Sequence, residues 1–205
     1  MSGIVVAEWH LTHDETDHVL RSGLELTPQE QNMLNHLRHP LRRRQWLAAR
    51  RITYTILNLP PIRYSPNGTP TTENRYVSIA HSGTNIVVAT APFVVGIDIE
   101  RITPRILHIA SRFVHPSERA LLWDSIAYPE VMTLLWSFKE AAYKATGGTA
   151  PHFQTQIRLR KWSPPNAEVS VQVDNRKRIL HGKGVVMGSI VQTILWSTVE
   201  TTSTG

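Results

Sequence analysis

Two short stretches carry residue types at spacings that can do chemistry: Val95-Gly96-Ile97-Asp98-Ile99-Glu100 and Trp136-Ser137-Phe138-Lys139-Glu140-Ala141-Ala142-Tyr143-Lys144. In the first, apolar Val95, Ile97 and Ile99 alternate with Gly96, Asp98 and Glu100, the period-two pattern of a strand. That geometry sends both carboxylates to one face and the three β-branched side chains to the other. In the second, Trp136, Glu140 and Lys144 recur at i, i+4 and stack along one face of a helix. Three hard oxygen donors (Asp98, Glu100, Glu140) suit a magnesium ion, and the ammonium of Lys144 suits a phosphate. Each feature alone is more usually a solvated strand face or a surface ion pair. Gly96 beside the acids argues for more, because it marks a place where a ligand or a second backbone comes close.

The elements that must position these residues follow from the rest of the pattern. Ile4 to Leu11 reads as a strand, and a polar, partly helical stretch runs on to Gly23. Thr27 as N-cap, Pro28 at N1 and Glu30 at N3 form a capping box opening a helix to about Arg38. Pro40 opens a second helix that ends near Leu57, before Pro60-Pro61. On it Arg43, Arg50 and Tyr54 share one stripe, Arg44 and Arg51 lie on the next, and Leu41, Ala48, Ile52 and Ile56 form an apolar face. The basic stripe reads equally as a solvated face or as an arginine surface for phosphates, to which guanidinium offers bidentate, permanently charged donors. Residues 59–75 form a loop with a turn at Asn67-Gly68. Strands follow at Tyr76 to Ala80, Asn85 to Thr90 and Val94 to Glu100, and their short connections predict a three-stranded antiparallel meander.

Beyond Glu100 the pattern turns helical: Pro104 to Arg112, Pro116 to about Trp123, and Pro129 to Thr146, the last ended by Gly147-Gly148. Ile157 to Trp162, Glu168 to Val173 and the stretch from Ile179 to Ser197 read as strands, with turns at Pro164-Pro165-Asn166 and Asp174-Asn175. Thr201 to Gly205 reads as a frayed tail. Helices plus a small antiparallel sheet in each half make the fold class α+β.

Composition narrows the setting. The chain has 205 residues, 41% hydrophobic and 19% charged, which is ordinary for a soluble globular protein. With no cysteine, disulfides, thiolate catalysis and zinc–thiolate sites are excluded. No apolar run approaches a membrane span, and Met1 to Glu8 lacks the build of a signal peptide, so a cytoplasmic location is expected. Twenty-two Lys and Arg against 16 acids give a net charge of +6, which favours anionic partners without choosing among them. No G-x-x-x-x-G-K-[ST] loop is present, which disfavours a P-loop phosphotransferase. Three clustered acids beside the phosphate site would gain nothing for nucleic-acid binding.

The two motifs together resemble the signature of the 4′-phosphopantetheinyl transferases, G-[IV]-D-[IV]-E followed by W-[ST]-x-K-E-[AS]-x-x-K. The matching residues are Gly96, Asp98 and Glu100, then Trp136, Ser137, Lys139, Glu140, Ala141 and Lys144. Arg112-Phe113 through Glu118 is similar to the family's R-F-x-x-x-x-E, and Trp46-Leu47-Ala48-Ala49-Arg50 to its [FW]-L-A-[GA]-R. His81-Ser82 resembles its S-H-S segment with Ala80 replacing the first serine. Gly68-Thr69-Pro70 stands where G-K-P is common, so one phosphate-binding charge is missing.

The resemblance implies a transferase moving phosphopantetheine from coenzyme A to a serine of an acidic acyl or peptidyl carrier protein. It further implies a monomer, like the larger surfactin- or enterobactin-synthetase-activating members. Such members have two pseudo-symmetric subdomains, here residues 1–103 and 104–205, with the active site between them. By this resemblance Asp98, Glu100 and Glu140 are the Mg²⁺ ligands, and Asp98, Glu140 and Lys144 the catalytic set. Arg43, Arg44, Arg50, His81 and Lys144 bind coenzyme A. Lys139 serves structure or substrate, and Arg112 and Phe113 give the carrier one charged and one apolar anchor.

Overall fold

The computed structural model describes residues 3–66, 68–122, 127–148, 152–173 and 176–197. The expected turns at Asn67 and at Asp174-Asn175, the helix end at Trp123 and the tail 201–205 lie outside them. Two five-stranded antiparallel sheets, each packed with helices, make up the fold, which is the α+β architecture with two pseudo-symmetric halves that the sequence predicts.

The first sheet holds β1 (Val5–His10), β2 (Arg63–Tyr64), β3 (Pro70–Thr71), β4 (Tyr76–Ser82) and β5 (Asn85–Ala91), in the order β1-β5-β4-β3-β2. Three helices cover it: α1 (Asp17–Arg21), α2 (Pro28–His36) and α3 (Pro40–Arg51), the last continued by one π-helical turn, Ile52–Ile56. Their core joins Leu20, Leu34, Leu47 and Ile52 to Ile86 and Val88. The capping box of α2 forms as read: Glu30 N donates to Thr27 Oγ1 at 3.3 Å, and Thr27 N to Glu30 Oε2 at 3.1 Å.

The second sheet runs β6 (Val95–Arg101), β10 (Ile190–Trp196), β9 (Arg176–Met187), β8 (Asn166–Val173) and β7 (Ile157–Ser163), in that spatial order. Against it lie α4 (Ile106–Phe113), a 3₁₀ turn (Pro116–Glu118), α5 (Arg119–Leu122) and the long α6 (Pro129–Ala145). Phe138 of α6 fills the space left by two strand glycines; a Cβ on Gly182 or Gly184 would stand 2.8 or 2.9 Å from its ring.

One topological expectation fails. β6 is not the third strand of a meander with β4 and β5, because β5 is already flanked by β1 and β4. β6 pairs instead with β10, Asp98 lying opposite Thr193 and Glu100 opposite Val191. The expected division at residues 103/104 therefore falls after a strand that belongs, by hydrogen bonding, to the second sheet. Its other face still seats the halves together. Val95, Ile97 and Ile99 pack with Ala80, Val87, Ala89 and Ala91, and Ile97 N donates to Ser78 Oγ at 3.0 Å.

Candidate active site

The strand pattern puts Gly96, Asp98 and Glu100 on the face of β6 turned to α6, and the glycine sets how near the helix comes. A Cβ at Gly96 would overlap the Ala141 carbonyl oxygen and stand 3.0 Å from Ala145 Cβ. The second backbone predicted beside the acids is thus that of α6. With helix and strand this close, the i, i+4 stripe of α6 meets the acids directly. Lys144 Nζ donates to Asp98 Oδ1 at 2.6 Å and to the Ile97 carbonyl at 3.3 Å, and Trp136 Nε1 donates to Glu100 Oε1 at 3.2 Å. Glu140 stands between Trp136 and Lys144 on that stripe and faces the same cleft.

Asp98, Glu100, Glu140 and Lys144 form one wall of a cleft of about 610 Å³. The opposite wall comes from the first half, with His39, Arg42 and Gln45 around the start of α3 and Ala80 to Gly83 at the end of β4. Gln45 Nε2 fixes that wall by donating to the Gly83 carbonyl at 2.7 Å, and the Arg42 guanidinium lies against the His81 ring, 3.1 Å from Nδ1. Burial and the Arg42 charge lower the pKa of His81, which favours its neutral ring. Burial pushes the Glu140 carboxyl up to about 7, with Asp98 reinforcing the rise, Lys144 opposing it and Glu100 adding to it. Glu100 is raised by burial and by Asp98, while Trp136 and Lys144 hold it down.

Asp98 is 4% exposed, and its Oδ2 is buried with no hydrogen-bond partner. A buried, unpartnered carboxylate oxygen beside two carboxyls whose ionisation is resisted fits a small, hard cation, since all three donors are oxygens. Among the described residues no three acidic, imidazole or thiol groups stand close enough to form a preassembled metal cluster. Lys144 and Trp136 instead each hold one of the two strand acids.

The arginines expected to bind coenzyme A are placed differently. Arg43 is turned from the cleft: its Nε donates to Asp17 at 2.5 Å, and one NH reaches the Leu34 and Leu37 carbonyls at the end of α2. Arg50 is 2% exposed, pairs with the equally buried Glu30 at 3.3 Å, donates to the Tyr64 hydroxyl and stacks 3.7 Å from the Trp46 ring centre. Arg51 takes up carbonyls of Leu20 and Val19 at 2.8 and 3.0 Å, closing α1. Helix ends leave carbonyls without intrahelical partners, and guanidinium forks satisfy them well. Arg44 is half-buried and does not line the cleft. The cleft arginine is Arg42, which the sequence reading missed; three adjacent arginines point about 100° apart, and only the fold decides which one faces the acids.

Two further expectations are resolved by burial. Lys139 is fully enclosed, donating to Glu118 Oε2 at 2.9 Å and to the carbonyls of Phe113 and Phe153 at 2.5 and 3.1 Å, so it serves structure. Phe113 is core: it meets Trp136 edge-on at 5.1 Å and steadies the indole that holds Glu100, so it offers a partner no apolar anchor. Arg112 alone is exposed, at a groove of about 290 Å³ shared with Trp136, His152 and Phe153.

The cleft thus sets acids and an ammonium on one wall against an arginine and an imidazole on the other. Residues 94–188 match the 4′-phosphopantetheinyl transferase superfamily. A 4′-phosphopantetheinyl transferase of Bacillus subtilis is 37% identical over 82 residues, 38% of this chain and 36% of that protein. The 4′-phosphopantetheinyl transferase gsp of Aneurinibacillus migulanus is 32% identical over 108 residues, 49% of this chain and 46% of that protein. The matched region thus spans less than half the length of either relative. Among the described residues no helix is long and apolar enough to cross a membrane.

Proposed function

We propose that the protein transfers 4′-phosphopantetheine from coenzyme A to a serine of an acyl or peptidyl carrier protein. The observation carrying this reading is the convergence of Asp98 and Glu100 from β6 with Glu140 and Lys144 from α6 in a cleft whose far wall holds Arg42 and His81. In the reaction the serine oxygen forms a bond to the β-phosphorus, and the bond from that phosphorus to the bridging oxygen breaks. Adenosine 3′,5′-bisphosphate departs. Both events concentrate negative charge, so positioned cations carry most of the catalysis.

Asp98, Glu100 and Glu140 are the residues that would hold Mg²⁺, which when bound supplies positive charge beside the pyrophosphate. Lys144 is oriented by Asp98 Oδ1 and the Ile97 carbonyl and presents its ammonium to the same phosphates. Glu140, with a carboxyl that titrates near neutral pH, takes the serine proton. Arg42 and His81 bind the nucleotide phosphates, the part expected of Arg43, Arg44 and Arg50.

The test is an incubation of the protein with coenzyme A, Mg²⁺ and an apo carrier, read by intact mass. The expected product is heavier by one phosphopantetheine. Asp98→Asn should yield none while keeping its unfolding transition. A wild-type rate from Asp98→Asn would end this reading of the site.

A further inference from the structure

Lys139 stands one residue before Glu140 on α6, yet it is fully enclosed and lines neither the cleft nor the groove beside Arg112. An ammonium has three donors, and the fold sets three acceptors around this one. They are the Phe113 carbonyl at 2.5 Å, Glu118 Oε2 at 2.9 Å and the Phe153 carbonyl at 3.1 Å. The acceptors come from the end of α4, from the 3₁₀ turn and from the segment leading into β7. Gln154 fastens the first and last of these pieces again, donating to the Ser111 and Val114 carbonyls at 3.0 and 3.1 Å. Apolar packing would hold the same pieces as firmly, because a buried ion pair gains little net stability over hydrophobic residues of similar volume. What the ammonium adds is placement, since it draws two backbone carbonyls to one atom.

Those two carbonyls belong to the residues whose rings enclose Trp136, one turn back along α6. The Phe113 ring meets the indole edge-on at 5.1 Å, and the Phe153 ring stacks on it at 5.2 Å with planes 24° apart. Tyr143 backs Phe153 at 5.4 Å. Both geometries are favourable between aromatic rings, so tying the two backbones together closes the rings on the indole. The indole has a single donor, and it goes to Glu100 Oε1 at 3.2 Å. With that oxygen held, Oε2 is left for a ligand in the cleft. A line of contacts therefore runs from the buried ammonium, through two rings and one indole, to a cleft carboxylate.

We propose that Lys139 is a positioning residue: by holding the Phe113 and Phe153 carbonyls it clamps Trp136, and through the indole it fixes the direction of the Glu100 carboxylate. This rests on the transferase reading given above, in which Glu100 is one of the three acids that would hold Mg²⁺. Losing a group that orients a metal-binding side chain typically costs about ten- to a hundredfold in metal affinity or activity.

The experiment uses Lys139→Met together with Glu118→Gln, which removes both buried charges at once and keeps an oxygen for the Leu159 N–H that Glu118 accepts. Trp136→Phe keeps a ring and deletes the donor. In metal-free, isotope-labelled protein the Trp136 indole N–H resonance is assigned by its disappearance in Trp136→Phe. Its exchange with solvent should be about tenfold faster in the Lys139 variant than in wild type. With coenzyme A and carrier saturating, the Mg²⁺ concentration giving half-maximal transfer should rise about tenfold in the Lys139 variant and in Trp136→Phe. Adding Trp136→Phe to the Lys139 variant should raise it no further than Trp136→Phe does alone, because both act through one hydrogen bond. Phe153→Leu removes the stacked ring at a half-buried position without touching a charge, so it tests the clamp even if the Lys139 variant unfolds. It should shift both readouts in the same direction. Indole exchange at the wild-type rate in the folded variants overturns the proposal. Faster exchange with an unchanged Mg²⁺ midpoint overturns it too, as do midpoints that multiply in the combined variant. If wild type transfers no phosphopantetheine, the transferase reading falls, and indole exchange still decides whether Lys139 sets Trp136.

Discussion

Glu140→Gln should make the protein more stable at neutral and alkaline pH while abolishing transfer, and the stability gain should depend on pH in a defined direction. The Glu140 carboxyl titrates near 7 in the fold against an ordinary value of 4.5, because burial and Asp98 resist its charge. Below pH 4.5 it is protonated in the folded and unfolded chain alike and contributes no pH dependence. Between pH 4.5 and 7 the unfolded chain releases this proton while the folded chain keeps it, so stability falls as pH rises. Above 7 the deficit is constant. Two and a half pH units correspond to about 3.4 kcal/mol. Glu140 is half-buried, and solvent access through the cleft reduces this to about 1–2 kcal/mol. Glutamine cannot ionise and escapes the deficit. Urea unfolding in chelator from pH 4.5 to 8.5 should therefore show the variant's advantage growing from near zero to a plateau above pH 7. An advantage independent of pH, or a variant less stable than wild type at pH 8, would refute the reasoning about how the cleft treats this acid.

Three other outcomes follow from the packing. Gly96→Ala should cost about 3 kcal/mol or more, because overpacking here meets backbone rather than a movable side chain; thermal unfolding reads the loss, and transfer should drop with it as α6 is pushed from β6. Glu118→Gln should cost about 3–5 kcal/mol by leaving the Lys139 ammonium buried against a neutral partner, with urea unfolding as the measure. Arg42→Ala should weaken coenzyme A in calorimetry by about 1.5–3 kcal/mol per lost phosphate contact without lowering the melting temperature, whereas Arg50→Ala should lower the melting temperature by stranding Glu30.

What could be read from the chain and what could not divide along the range of the forces involved. The capping box at Thr27 and Glu30, the alternation around Asp98 and the Trp136–Glu140–Lys144 stripe are local, and each forms as its spacing predicts. Gly96 could also be read, because only close approach explains a glycine beside paired acids. The partner strand of β6 could not: β10 lies some ninety residues downstream, and nothing within Val95 to Arg101 distinguishes it from a third meander strand. The surroundings of the arginines could not be read for a related reason. A guanidinium that closes α1 or α2 and one that faces a cleft have the same residue type and the same helical spacing, and only the positions of Asp17, Glu30 and His81 tell them apart.

The strand shared between the halves has a mechanical consequence. β6 is laced to β10 by a ladder, yet rests on β4 and β5 mainly through the smooth apolar surface of Val95, Ile97 and Ile99. Sliding along that seam would break few directional bonds, and the cleft is framed by two jaws. Asp98, Glu100, Glu140 and Lys144 travel as a block with the second sheet, and Arg42 and His81 ride on the opposing jaw. Relative movement of the jaws would thus leave the geometry among the acids undisturbed. A chain severed between Ala91 and Val95 should leave both jaws with their ladders whole, whereas a cut after residue 103 strips the second jaw of its edge strand and two of its three carboxylates.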